Sequence, residues 1–288
     1  MNAHRALLRW YEPRRRAFPW RRSSDPYRVL VSEVMLQQTQ VPRVVSAYRR
    51  FLRRFPSVRA LARAEDGDVL RAWAGLGYNR RAVALAQAAR SVVRDHGGRF
   101  PQEPRSLRQL PGVGPYTAAA VASMSFGVPV AAVDTNVRRV VARAVLGSEP
   151  ADADPDELAR AADAWVDRTD PGSWNQAVMD LGREVCRPRP RCQACPLRPG
   201  CRFRPRGVSP APPTRRQSPF DGSSRQLRGA VVRSLLPSGS RSVASIRTET
   251  GRPARDVVRA IRALASEGLV RAGPGALAGK PSGRVRLP

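Results

Sequence analysis

All four cysteines of this 288-residue chain fall within sixteen residues, as Cys186-x5-Cys192-x2-Cys195-x5-Cys201. A structural disulfide framework needs an oxidising compartment. The N-terminal stretch MNAHRALLRWYEPRRRAFPW carries arginines but no apolar core, so it does not read as a secretory signal, and a cytoplasmic location is expected. Four thiolates this close can hold zinc or an iron–sulfur cluster. Zinc ribbons bring two Cys-x2-Cys knuckles from separated hairpins. Here a single Cys-x2-Cys is flanked by lone cysteines around one centre, which favours [4Fe-4S] over zinc. Arg187, Arg189, Arg191, Arg198 and Arg202 surround the loop and suit a phosphate-facing element.

The remainder of the chain must fold around that loop. Apolar residues recur at helical spacing in 29–35, 41–51, 80–93, 117–124 and 137–146, and turn signals such as Gly97-Gly98 and Asp170-Pro171-Gly172 separate them. Residues 1–206 therefore read as all-α. Residues 204–224 are rich in Pro, Ser and Arg, and a linker is expected over 207–224. Order resumes at 225–288. There Leu227, Val231 and Leu235 form a helical stripe, Val243 and Ile246 begin a second helix, and Val257, Ile261 and Leu264 line a third. Residues 268–270 and 285–287 suit a hairpin around a Gly/Pro-rich tip. Three helices and a hairpin suggest a small winged-helix-like α+β domain; the alternative is a helical cap that does not touch nucleic acid. No stretch of eighteen apolar residues exists, so no membrane helix is expected.

The formal net charge is +28, a field that attracts polyanions, nucleic acid first. The only lysine is Lys280, so arginine-rich codon usage contributes to this charge. It does not explain the scarcity of acids, eight of which are gathered between Glu149 and Asp170. The two histidines, His4 and His96, lie far apart and away from the cysteines, which makes a Ser–His triad or a His-ligated zinc enzyme improbable. Chemistry must then rest on carboxylates, tyrosines or a thiolate-bound metal.

Three further segments carry candidate chemistry. In Leu110-Pro111-Gly112-Val113-Gly114-Pro115-Tyr116, the glycines Gly112 and Gly114 around Val113 permit a tight turn, and the helix that follows offers its N-terminus to a phosphate. Alone, this is also an ordinary turn between helices. In Val133-Asp134-Thr135-Asn136-Val137, Asp134 opens an apolar-periodic helix, as an N-cap would. In Ser32-Glu33-Val34-Met35-Leu36-Gln37-Gln38-Thr39-Gln40-Val41, Glu33 sits on a mostly buried helix. A buried glutamate is costly, hence either paired or functional.

Together with Phe18-Pro19-Trp20-Arg21, Gly75-Leu76-Gly77-Tyr78 and Asn175-Gln176-Ala177, these segments resemble the helix-hairpin-helix glycosylases. They are most similar to the A/G-specific adenine DNA glycosylases of the MutY family, over about residues 5–206. The SEVMLQQTQV stretch distinguishes that family from the endonuclease III type. The resemblance implies a two-lobed all-α fold around a DNA cleft. One lobe would be a six-helix barrel with the hairpin (23–133), the other a [4Fe-4S] domain (1–22 and 134–206) using Cys186, Cys192, Cys195 and Cys201. It implies a monomer that removes adenine mispaired with 8-oxoguanine or guanine from double-stranded DNA.

By the same resemblance, Glu33 protonates the adenine and Asp134 stabilises the sugar cation, with Tyr116 and Asn136 orienting them. Trp20, Arg21 and Gln176 line the base pocket. Gln37, Gln38 and Thr39 face the opposite strand, Tyr78 is a further substrate-binding residue, and Gly112, Val113 and Gly114 hold a DNA phosphate. Bifunctional relatives carry a Schiff-base lysine where Tyr116 stands, so a lysine-based lyase is not expected. Three positions depart from the family: the first cysteine spacing is x5 rather than x6, Thr135 replaces a common glycine, and Asn79 replaces a second tyrosine. Residues 225–288 are also too few for a Nudix-like domain, so a smaller preference for 8-oxoguanine over guanine is expected. The competing readings are a helix-hairpin-helix glycosylase of another base specificity and a DNA-binding iron–sulfur redox sensor. The second leaves Glu33 and Asp134 unexplained.

Overall fold

The computed structural model describes residues 3–203 and 219–288. Of the expected linker, 207–218 lie outside the described residues, as do 204–206 at the end of the expected cluster domain. In chain order the elements are α1 (Ala3–Tyr11), α2 (Pro26–Leu36), α3 (Val41–Arg54), α4 (Val58–Ala62), α5 (Asp66–Ala72), α6 (Arg80–Asp95), α7 (Pro104–Leu107), α8 (Pro115–Phe126), α9 (Thr135–Val141), α10 (Pro155–Ala164), α11 (Pro171–Glu184), α12 (Ser224–Leu235), β1 (Ser240–Ser242), α13 (Val243–Thr250), α14 (Ala254–Ser266), β2 (Arg271–Ala272), α15 (Pro274–Leu277) and β3 (Arg284–Arg286). Among the described residues, no helix is long and apolar enough to cross a membrane. Two compact units result: Met1–Glu33 with Phe100–Arg215, and Val34–Arg99 with Arg216–Pro288, each as far as it is described.

The first unit is organised on α11. Its start is fixed by Asp170, whose carboxylate caps the Ser173 N–H, and by Pro171 in the first turn. Trp174, Ala177, Val178 and Leu181 then form a stripe at helical spacing. That stripe packs with Leu7 and Tyr11 of α1, Val137 and Val141 of α9, and Leu158 of α10 into one core. Helix α8 is buried on every face from Thr117 to Ser123, and its small alanines let neighbouring elements approach closely. Asn175, fully buried, ties the return loop after α8 to α11. It accepts the Ala132 N–H at 2.7 Å and donates to the Val130 and Pro171 carbonyls, both at 2.9 Å. This clamp sets where the chain re-enters helix at Asp134.

In the second unit, α3 presents Val44, Tyr48 and Phe51 inward, and Phe51 meets the Phe55 and Trp73 rings edge-on at 5.1 and 5.9 Å. The C-terminal part follows the order α–β–α–α–β–α–β, with a three-stranded antiparallel sheet in the order β1-β3-β2. The expected hairpin is present, but β2 forms at Arg271–Ala272. Leu269 and Val270, expected as strand, are buried in the core instead. Strand β1, with the sequence SRS, has no apolar alternation that could have revealed it. This part seats on α5: Arg71 donates to the Leu236 carbonyl at 3.1 Å, and Gly67 lies against Leu287.

Candidate active site

Four of the sequence-predicted residues converge in the first unit. Glu33 lies in the last turns of α2 and is only 7% exposed. The Tyr116 hydroxyl, at the start of α8, donates to Glu33 Oε2 at 2.7 Å. Burial pushes the Glu33 carboxyl up to about 7; the negative field of Asp134 adds to this, while the Tyr116 hydrogen bond and Arg21 oppose it. The Tyr116 phenol is itself held well above its ordinary value by burial and by Glu33, so it remains a donor.

Asp134 has a different environment. It is the N-cap of α9, as the sequence suggests: Oδ1 accepts the Asn136 and Val137 N–H groups at 2.8 and 2.7 Å, and Oδ2 accepts from Asn136 Nδ2 at 2.9 Å. Three N–H donors thus fix the Asp134 carboxylate in place, while apolar burial favours the proton on Glu33.

Sequence reasoning missed what braces this pair. Arg139 donates to Asn136 Oδ1 at 2.8 Å, to the Gly182 carbonyl at 2.7 Å and to the Cys186 carbonyl at 2.6 Å, linking the Asp134 cap to the cysteine loop. Gly182 of α11 passes so close to α9 that a Cβ there would lie 2.7 Å from the Asn136 Cβ. The only sequence signal was a glycine inside a helical stripe. Asp180, also missed, braces the predicted Arg21. Asp180 receives both Arg21 amino groups at 2.8 and 3.0 Å, the two side chains being 8% and 10% exposed. The Arg21 guanidinium lies 5.8 Å from the Tyr11 ring centre and 5.3 Å from that of Phe18, and Tyr11 donates to Gln176 Oε1 at 2.7 Å. Trp20 is buried and stacked on Phe18 at 5.0 Å.

The hairpin turn differs in detail from expectation. Gly112 takes a φ of +73°, and Gly112 and Gly114 are exposed. Val113 is buried and its N–H closes the turn on the Leu110 carbonyl at 3.1 Å, so Val113 braces the turn from within and its N–H does not face outward.

The four cysteines are of intermediate exposure. Burial raises Cys186, and burial together with the other three sulfurs raises Cys195 to about 11. Arg143 donates toward Cys186 Sγ at 3.9 Å, and Cys201 Sγ toward the Arg143 carbonyl at 3.8 Å. Among the described residues, no three His, Cys, Asp or Glu side chains stand close enough to hold a single metal ion.

Gln37, Gln38, Thr39 and Tyr78 belong to the second unit. Gln38 and Tyr78, at φ +53° and +48°, are the only non-glycine residues with positive φ among those described, and Tyr78 is 49% exposed. Both segments are held by Arg81, which sequence reasoning did not select.

Residues 31–168 match the HhH-GPD superfamily of base excision DNA repair proteins. The chain is 44% identical to the adenine DNA glycosylase of Mycobacterium tuberculosis over 231 residues, 78% of this chain and 76% of that one. It is 43% identical to the human adenine DNA glycosylase over 213 residues, 70% of this chain and 39% of the human protein. A solved thermostable thymine-DNA glycosylase superposes with a TM-score of 0.64 at 31% identity, over 69% of this chain and 93% of that one. Fold and site thus define a helix-hairpin-helix base-excision glycosylase. Within that class, the chain belongs to the adenine DNA glycosylase family.

Proposed function

We propose that the chain hydrolyses the N-glycosidic bond of adenine mispaired with 8-oxoguanine or guanine in duplex DNA, as a monofunctional, monomeric enzyme of the cytoplasm. The observation that carries the chemistry is the buried, Tyr116-bonded Glu33 beside the capped Asp134. Adenine leaves poorly until it is protonated. A carboxyl poised near 7 can give its proton to N7 and still be about half reloaded at neutral pH. Tyr116 holds Oε2, which leaves Oε1 to face the base. As the bond lengthens, the sugar gains positive charge. Asp134 keeps a lone pair on Oδ2 beyond its three accepted hydrogen bonds and stabilises that charge. Asn136 fixes Oδ2. Arg21, immobilised by Asp180, forms the polar wall of the base pocket with Trp20 and Gln176. With tyrosine at 116 and no lysine before Lys280, no amine is at hand for strand cleavage.

Two features complete this reading. The cysteine loop fits a [4Fe-4S] cluster. Its donor set is four thiols within sixteen residues, a single Cys-x2-Cys flanked by lone cysteines, and the sulfurs of Cys186, Cys192 and Cys201 all act on Cys195. When bound, the cluster supplies a rigid fold for the loop; hydrolysis is assigned to Glu33 and Asp134. The exposed glycine turn at 112–114 and the winged-helix-like C-terminal part supply phosphate contacts. In the latter, four of the eight strand residues are arginine and none is acidic. Asn79, beside Tyr78, offers little stacking area, so both 8-oxoguanine and guanine are accepted opposite adenine. Identifying the base released from a panel of A·8-oxoguanine, A·G, A·C, A·T and damaged-pyrimidine duplexes tests the reading. Adenine from the first two supports it; release of a pyrimidine instead overturns it.

A further inference from the structure

Arg81 is an arginine that stability alone does not explain. It lies in the first turn of α6, and partial burial lowers its guanidinium to about 10. Among the described residues no carboxylate pairs with it. A half-buried cation with no counter-ion is a cost to the fold. What surrounds it is a ring of acceptors from two segments, the end of α2 with the loop after it and the loop before α6. Nη1 donates to the carbonyls of Val34 (2.8 Å), Met35 (3.1 Å) and Gln37; Nη2 donates to Thr39 Oγ1 (3.0 Å) and to the carbonyls of Gly77 (3.2 Å) and Leu76 (3.4 Å). Its plane also lies over two rings, with its central carbon 5.5 Å from the Trp73 centroid and 5.3 Å from that of Tyr78. Trp73 in turn donates to the same Gly77 carbonyl at 3.1 Å.

The two loops so joined contain Gln38 and Tyr78, the two non-glycine residues in left-handed backbone. Such conformations persist only where surroundings over-determine them, and they concentrate at ligand-contacting segments. Four of the six acceptors flank these two residues: Gln37 and Thr39 on either side of Gln38, and Leu76 and Gly77 ahead of Tyr78. The exposed Tyr78 ring is held from beneath by the guanidinium. A lysine could keep the charge but could not reach both loops, because one ammonium lacks the planar fork.

We propose that Arg81 is a positioning residue that locks the 37–39 and 76–78 segments into one rigid reader of the base opposite adenine. The inference rests on the adenine-glycosylase reading and adds the residue that sets its discrimination. Loss of the fork then costs selectivity for mispaired over matched DNA, more than it costs phosphate-driven affinity.

The test uses the full chain and duplexes bearing a non-hydrolysable 2′-fluoro-adenosine opposite guanine or thymine. Dissociation constants are measured by fluorescence anisotropy for wild type, Arg81→Lys, Tyr78→Ala and the double variant. Arg81→Lys is expected to cut the guanine-over-thymine preference at least fivefold while changing matched-duplex affinity less than threefold. The double variant should be no worse than the more damaging single one, because both act through one element. Thr39→Val leaves Arg81 in place but removes one acceptor, and should show a smaller loss of the same sign even if Arg81→Lys folds poorly. Proportional loss on both duplexes, additive losses in the double variant, or an unchanged preference in Thr39→Val together with Arg81→Lys would overturn the proposal. If unmodified wild type releases no adenine from A·G, the underlying glycosylase reading fails instead.

Discussion

The Tyr116 hydroxyl donates to Glu33 Oε2 at 2.7 Å, joining the first turn of the helix after the glycine hairpin to an acid near the end of α2. The bond anchors one carboxyl oxygen and opposes the effect of burial, so Glu33 sits at about 7 rather than higher. Asp134, by contrast, is fixed in place by three N–H donors.

Glu33→Gln should abolish adenine release, by at least about a thousandfold, because the amide keeps the shape but has no proton to give. It should also stabilise the protein. A carboxyl raised from 4.5 to about 7 holds its proton in the fold where the unfolded chain has lost it. The ionisable group therefore costs nothing below pH 4.5, and its full cost, about 3 kcal/mol at about 1.4 kcal/mol per pH unit, is reached above pH 7. Thermal melts at pH 8 should show a higher Tm for the variant, with the gain shrinking toward pH 4.5.

Gly182→Ala should damage the site without touching a reacting group. The new methyl would meet Asn136 at 2.7 Å and push it off Asp134. A destabilisation of about 1–3 kcal/mol is expected from overpacking. A drop in the single-turnover rate measured below the variant's Tm should accompany it. Wild-type activity and Tm would show that α9 yields without cost.

Protein purified without oxygen should be yellow-brown and contain about four irons and four sulfides per chain. Cys195→Ser should lose colour and iron together. One zinc and no iron in colourless protein would contradict the cluster.

The C-terminal sheet should hold DNA through its exposed arginines. Arg284 and Arg286 share the outer face of β3, and Arg271 lies directly across from Arg286. Like charges placed opposite each other repel unless something neutralises them. Replacing Arg284 and Arg286 by serine should lower the slope of log affinity against log salt by up to about 1.8. An unchanged slope would leave this part a structural cap.

Much of this was legible in the residues. Helical periodicity located α2, α3, α6, α8 and α9, and the motifs around Glu33, Tyr116, Asp134 and the cysteines marked the chemistry. The residues that escaped notice share one cause. Arg81, Arg139, Asp180 and Gly182 act through partners that are distant in sequence, so nothing within a local window distinguishes Arg81 from its exposed neighbour Arg80. Strand β1 escaped because a three-residue polar strand has no period to read. The sequence marks the glycine turn at 112–114 without saying which N–H closes it; that is the Val113 N–H.

The pH dependence of single-turnover adenine release from an A·G duplex, in wild type and Tyr116→Phe, tests the central claim most directly. With Glu33 as the acid, the wild-type rate should be highest below pH 7 and fall as pH rises through about 7, where the proton is lost. The Tyr116 bond favours the charged form, so its removal should move that midpoint to higher pH, whatever it does to the maximal rate. A rate that stays level from pH 5 to 9, or a midpoint that moves to lower pH in Tyr116→Phe, would contradict the assignment of Glu33 as the proton donor.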